Sequence, residues 1–174
     1  ICDLCPVGQY SDSLNVHKNC IPAARDQFVP APGMNAATNC SENPGPKSFT
    51  NPPNTALCEI CPAGYKMNRG TTETTCVECD AGQFQDVPGI TTCKDCPIGH
   101  YQDEIGIAYC VECLLGRYQD QEGNESCIKC ASGRKFNVNI GVGISASNCV
   151  ACDKGHYQPE NGSTFCLPCL TGTF

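Results

Sequence analysis

Residues 96–113 read CPIGHYQDEIGIAYCVEC, and near copies flank them: CDAGQFQDVPGITTCKDC at 79–96 and CLLGRYQDQEGNESCIKC at 113–130. A segment repeated with cysteine as its only fixed reactive residue poses one question for the whole chain. The thiols hold metal, or they hold one another.

The repeat extends well beyond these three copies. CxxC pairs begin at Cys2, Cys58, Cys76, Cys93, Cys110, Cys127, Cys149 and Cys166, and the steps from Cys76 to Cys127 are each 17 residues. Self-similarity at a fixed short period is the signature of a tandem array. Three residues after the second cysteine of each pair stands a glycine, from Gly8 to Gly172, and two further on an aromatic, as at Tyr10, Phe84, Tyr101, Tyr118, Tyr157 and Phe174. Tyr65 falls one place early and Phe136 one place late. Gln-Asp follows at 85–86, 102–103 and 119–120, and then a second glycine at Gly89, Gly106 and Gly123. Asp bonds backbone amides two residues on and Gly supplies positive φ, so this region reads as a turn. The unit is expected to be a strand carrying the aromatic, a D-x-x-G turn, and a return strand ending at the next cysteine. The fold class expected is a small disulfide-rich protein, an elongated tandem array of short β-hairpins with little regular secondary structure and no helix bundle.

The array divides into a regular repeat at 1–20, an irregular part at 21–57 and regular repeats of about 17 residues over 58–174, cut mid-repeat at both ends. In the irregular part Cys20 is followed by Ala23 where Cys is due, with Phe28 in the aromatic place, and Cys40 is followed by Asn43. Two degenerate repeats, each missing its second cysteine, are expected there, together with an extended, proline-rich stretch from Asn43 to Asn54.

Those losses separate zinc from disulfides. Paired CxxC motifs at this spacing are a zinc signal, and a four-thiolate site is crippled by one missing ligand. If instead each rung joins the second cysteine of one pair to the first of the next, the bonds are Cys5–Cys20, Cys61–Cys76, Cys79–Cys93, Cys96–Cys110, Cys113–Cys127, Cys130–Cys149 and Cys152–Cys166. The two losses orphan Cys40 and Cys58, which pair with each other. Cys2 and Cys169 are left to bond neighbouring repeats. A ladder predicts such paired losses, so disulfides are expected, with no metal and no cofactor. A redox CxxC is also excluded, since a catalytic pair does not recur eight times.

Composition agrees. Eighteen of 174 residues are Cys, aromatics are 7% and there is no Trp, so covalent links must supplement a thin apolar core. Disulfides require an oxidising compartment, here extracellular or cell-surface. A net charge of −7 with scattered basic residues argues against nucleic acid. No apolar run is long enough to span a membrane. The chain starts at Ile1 without a charged and then apolar leader, and is expected to be part of a longer one.

Three sequons, at Asn39, Asn124 and Asn161, are candidate N-glycosylation sites. The segment KFNVNIGVGI alternates strictly through Phe136, Val138, Ile140, Val142 and Ile144, and a strand would turn all five to one side, a candidate assembly contact. His17, His100 and His156 read as variable positions, and Asp12, Asp86, Asp103 and Asp120 as turn caps in preference to calcium ligands. The repeated aromatic is expected to pack on the disulfide and glycine of its own rung. No nucleophile elbow or phosphate loop is present, so no catalytic residue is assigned and the chain is read as a non-enzyme.

With C-P-x-G-x-[YF]-x-D and CxxC in view, the array resembles the ephrin-receptor-like cysteine-rich repeats of large extracellular and protist surface proteins. It is also similar to the first small module of tumour necrosis factor receptor repeats. The resemblance implies a disulfide-laddered rod outside the cell, with no catalytic residue and no common ligand. The function expected is an extracellular structural protein, a stalk, filament or surface coat, glycosylated and associating with itself or with other extracellular proteins. The alternative is a receptor or adhesion ectodomain presenting a ligand site on its irregular part.

Overall fold

The computed structural model describes residues 4–12, 19–42, 48–51 and 54–172. Cys2, His17, Phe174 and most of the proline-rich stretch lie outside the described residues. The chain divides into two compact units, Ile1–Val77 with Val87–Thr92, and Glu78–Asp86 with Cys93–Phe174.

The described residues form nine two-stranded antiparallel sheets and no α-helix. Most of the strands are two residues long, as in His100–Tyr101, which pairs with Val111–Glu112. An isolated hairpin of that size does not persist in water. What closes it is covalent. In the first unit Cys5 is bonded to Cys20, Cys40 to Cys58 and Cys61 to Cys76. In the second, Cys79 is bonded to Cys93, Cys96 to Cys110, Cys113 to Cys127, Cys130 to Cys149 and Cys152 to Cys166. Cα–Cα distances run from 5.3 Å at Cys61–Cys76 to 5.8 Å at Cys79–Cys93. A rung closing about 15 residues contributes about 3 kcal/mol in the chain-entropy model. The sulfurs are also the core: Cys61, Cys79 and Cys96 are fully buried, and the two apolar clusters are built around rungs, Cys61 with Phe49 and Met67, and Cys130 and Cys149 with Phe136.

The irregular part takes a different frame from the one expected. Gln27–Phe28 pairs with Thr38–Asn39, and the Cys40 amide donates to the Asp26 carbonyl at 2.8 Å. In a regular repeat that amide belongs to the second cysteine of the closing CxxC, as Cys96 N–H donates to Gly82. Cys40 is therefore the opening cysteine of an ordinary repeat that ends at Cys58. The place of a closing cysteine falls on Ala37, three residues before Cys40 as Cys93 is before Cys96. So one repeat, 23–37, has lost both cysteines to Ala23 and Ala37, rather than two repeats having lost one each. Asp26 fills its glycine place and carries the positive φ of 61° that the turn demands.

Repeats are joined by main-chain bonds that recur with the period. The CxxG glycine donates to the next repeat: Gly82 to Gln102, Gly99 to Gln119 and Gly133 to Gln158, each at 2.7 Å. The turn glycine of the next repeat donates back to the opening cysteine, Gly106 to Cys79 and Gly123 to Cys96 at 2.9 Å, and Gly162 to Cys130 at 2.7 Å. The first unit uses the same pattern, with Gly8 donating to Val29 and Gly33 to Cys5.

Contact also reaches the repeat after next. A Cβ on Gly82 would fall on the carbonyl oxygen of Gly123, and one on Gly116 on that of Gly162. The glycine thus serves two demands, a left-handed backbone (φ 90° at Gly116) and the absence of a side chain. At Gly155, with φ 81°, a Cβ meets nothing within 4 Å. Gly155→Ala should therefore cost only the conformational penalty of about 1–2 kcal/mol, whereas Gly116→Ala should cost clearly more, read as the difference between the two variants in thermal unfolding of the oxidised protein.

Candidate functional site

In the regular repeats with Gln-Asp the residue that organises the turn is the glutamine, not the aspartate beside it. Gln102 is buried; its Nε2 donates to the Tyr109 carbonyl at 2.8 Å and its Oε1 accepts from the Glu104 amide at 3.0 Å. Gln119 makes the same pair with Ser126 and Gln121, and Gln158 with Phe165 and Glu160. Each side chain thus spans the loop and satisfies two backbone groups that the turn leaves without a ladder partner. Asp103 and Asp120 are exposed. Asp86 bonds Lys94 at 2.5 Å, and that bond, with one from the backbone, holds its carboxyl below the usual carboxylate range. Lys94 also lies over the Phe84 ring, 5.6 Å from its centre.

This glutamine place is the interior position of the repeat. It is taken by Val29, Thr50, Met67, Gln85, Gln102, Gln119, Phe136 and Gln158, all buried, and in the first repeat by Ser11, which is exposed. The preceding aromatic, expected to cover the rung, is only half-buried at Phe28, Phe84, Tyr101 and Tyr118, and Tyr157 is 48% exposed. Phe136 is displaced by one residue because it sits in the interior place.

The alternating segment is not a strand. The strand Arg134–Phe136 ends at Phe136, Val138–Ile140 is a 3-10 turn capped by the Asn137 side chain, and Gly141 has a φ of 79°. The two glycines and the turn-forming asparagines outweigh the alternation. Its five side chains separate: Phe136 is buried against Cys130 and Cys149, Val142 and Ile144 lie against Gly99 of an earlier repeat, and Val138 and Ile140 are exposed on the 3-10 turn. Here buried Asn148 does the work of the glutamine, its Oδ1 accepting from the amides of Ile144 at 2.8 Å and Ser145 at 2.9 Å.

The three sequon asparagines differ in what holds them. Asn39 donates to Glu42 at 2.7 Å and accepts from Gln27 at 3.2 Å, and it precedes the buried, bonded Cys40. Asn124 donates through Nδ2 to the carbonyls of Gln121 and Glu122, both at 3.3 Å. Asn161 is exposed, and its Oδ1 accepts from the Ser132 amide at 2.8 Å. That bond fixes the side chain by its oxygen, and among the described residues Nδ2 has no partner.

Little here is arranged for chemistry. His100 lies 3.9 Å from Glu112 across its hairpin, and His156 is exposed. Among the described residues no group of three or more His, Cys, Asp or Glu is placed to hold a metal ion, and Cys169 is the one free thiol. No helix among them is long and apolar enough to cross a membrane. Two depressions among the described residues are open cups of about 400 and 380 Å³, one inside the last hairpin turn around Asn161 and the other beside Phe136.

The family model for tyrosine-protein kinase ephrin type A/B receptor-like repeats matches residues 64–108, 99–137 and 142–174, more than half of the chain. The chain belongs to the ephrin-receptor-like family. A comparison with curated proteins finds no match. Ephrin-receptor-like repeats are extracellular modules, typically non-catalytic, and this chain is a receptor-like or structural ectodomain segment.

The glutamine reading is tested by two neighbouring substitutions. Gln102→Ala leaves two backbone groups of the turn unpaired and is expected to cost about 1–3 kcal/mol, with faster hydrogen exchange at Glu104. Asp103→Ala should stay within about 0.5 kcal/mol of the wild type. Both are read by thermal unfolding with the rungs intact.

Proposed function

We propose that this ephrin-receptor-like chain is a structural component outside the cell, a disulfide-laddered stalk, filament or coat segment that carries glycans and associates with copies of itself or with other extracellular proteins. The observation that carries this reading is that the recurring residues are consumed in building the array. The cysteines close hairpins, the glycines donate to the next repeat, and the buried glutamines hold turns. In an array whose repeats dock through backbone groups, length and stiffness are the products of the sequence. Asn161, held by its oxygen with its amide nitrogen free, is the sequon best presented for a glycan, and Asn39, tied at both ends, the least.

A receptor or adhesion ectodomain is the second reading. It is favoured by the 23–37 repeat, where the Arg25 and Asp26 side chains hold residues 69–74 in place of a rung. Electron microscopy and sedimentation of the secreted full chain distinguish the two. Ordered fibres or concentration-dependent oligomers support the structural reading. Monodisperse chains that stay single to high concentration, bind one extracellular partner, and lose that binding on substitution within 23–37 overturn it.

A further inference from the structure

Tension applied along a disulfide-laddered chain is carried through the rungs, so the residues inside a closed hairpin cannot lengthen it. Between consecutive rungs from Cys40 onward the load-bearing chain is a Cys-x-x-Cys link, as at 58–61, 76–79 and 93–96, and three such steps span at most about 11 Å. Between the Cys5–Cys20 and Cys40–Cys58 rungs the link is instead the whole of the repeat that lost its cysteines, with Ala23 and Ala37 standing 14 residues apart, the same separation as Cys79 and Cys93. Its twenty steps from Cys20 to Cys40 span up to about 70 Å when drawn out.

This repeat is held by polar contacts in place of a rung. Arg25 donates through Nη1 to the carbonyls of Gly70 and Thr71, at 2.8 and 3.1 Å, and through Nη2 to the Thr74 hydroxyl at 2.9 Å. Asp26, in the glycine place, pairs with Arg69 at 2.6 Å. Arg25 and Asp26 thus clasp the turn of the repeat after next, where other repeats press a bare glycine against it. The clasp is incomplete: Arg25 Nε and Asp26 Oδ1 are buried without hydrogen-bond partners among the described residues, and unpaired buried polar atoms weaken the closed state. Non-covalent contacts of this kind part well before an S–S bond does.

We propose that the 23–37 repeat is an extension element, which opens under tension, lengthens the chain by one defined step while every disulfide stays closed, and closes again when tension falls. The proposal deepens the structural reading and rests on it for its use. The step itself belongs to the single chain, so its presence and the presence of fibres are independent results.

The test is force spectroscopy on the oxidised full chain held at its two ends. The wild type should show one reversible step of about 70 Å less the folded Cys20–Cys40 separation. Ala23→Cys with Ala37→Cys should abolish that step, with the new bond verified by peptide mapping under non-reducing conditions. Arg25→Ala should keep the step length and lower the force at which it occurs. The proposal is overturned by a wild type that reaches covalent rupture without the step, or by a step that survives in the cross-linked variant. It is equally overturned if the two introduced thiols stay unbonded while the eight rungs form, since the register at Ala23 and Ala37 would then be wrong.

Discussion

Everything in this chain depends on closing small loops covalently. Two-residue strands offer too few ladder bonds and too little buried area to offset the entropy of ordering a hairpin, and the sequence has no tryptophan and few aromatics with which to enlarge a core. A rung acts on the other side of the balance, by restricting the unfolded chain. Once closed, the hairpins within each compact unit present matching main-chain donors and acceptors to one another. The side chains then complete what the rungs begin, with one buried residue filling the space behind the aromatic in each described repeat after the first.

Fold class was legible in the sequence because cysteine spacing and glycine recurrence are strong, local signals. A glycine three residues beyond a cysteine, repeated from Gly8 to Gly172, marks a fixed backbone requirement whatever surrounds it. The turn chemistry was harder to read, since Gln-Asp carries two polar residues and the shorter one is the usual turn cap. Only the inside–outside direction of the hairpin decides between them, and it turns the longer amide inward, where it reaches across seven residues to the Tyr109 carbonyl. A hint was present: the place shared by Gln102 and Gln119 is taken by Met67 and Phe136 in other repeats, and residues of that kind do not stand in for a solvent-facing polar cap.

The irregular part misled for a related reason. Counting forward from Cys40 makes Asn43 a missing cysteine, whereas counting back makes Ala37 one, and both are three residues away. Strand pairing settles the direction, because Phe28 lies opposite Thr38. The alternating run after Arg134 failed as a strand because its period was carried by β-branched residues interleaved with glycine and asparagine. Two of those side chains, Val142 and Ile144, are held instead against Gly99, a contact between repeats that no reading of a single segment can supply.

The bonds between repeats have a consequence for how such a chain varies over generations. In the regular units they run from glycine amides and to cysteine carbonyls, which those units supply alike, so a regular unit needs no particular neighbour; the 23–37 repeat, with its Arg25 and Asp26 contacts, is the exception. Unequal crossing-over between copies of a repeat, which adds or removes a whole unit of coding sequence, would leave each remaining junction with its full set of donors and acceptors. Length in this architecture is open to genetic change without any compensating substitution, while the interior place and the exposed face of each unit remain free to diverge on their own.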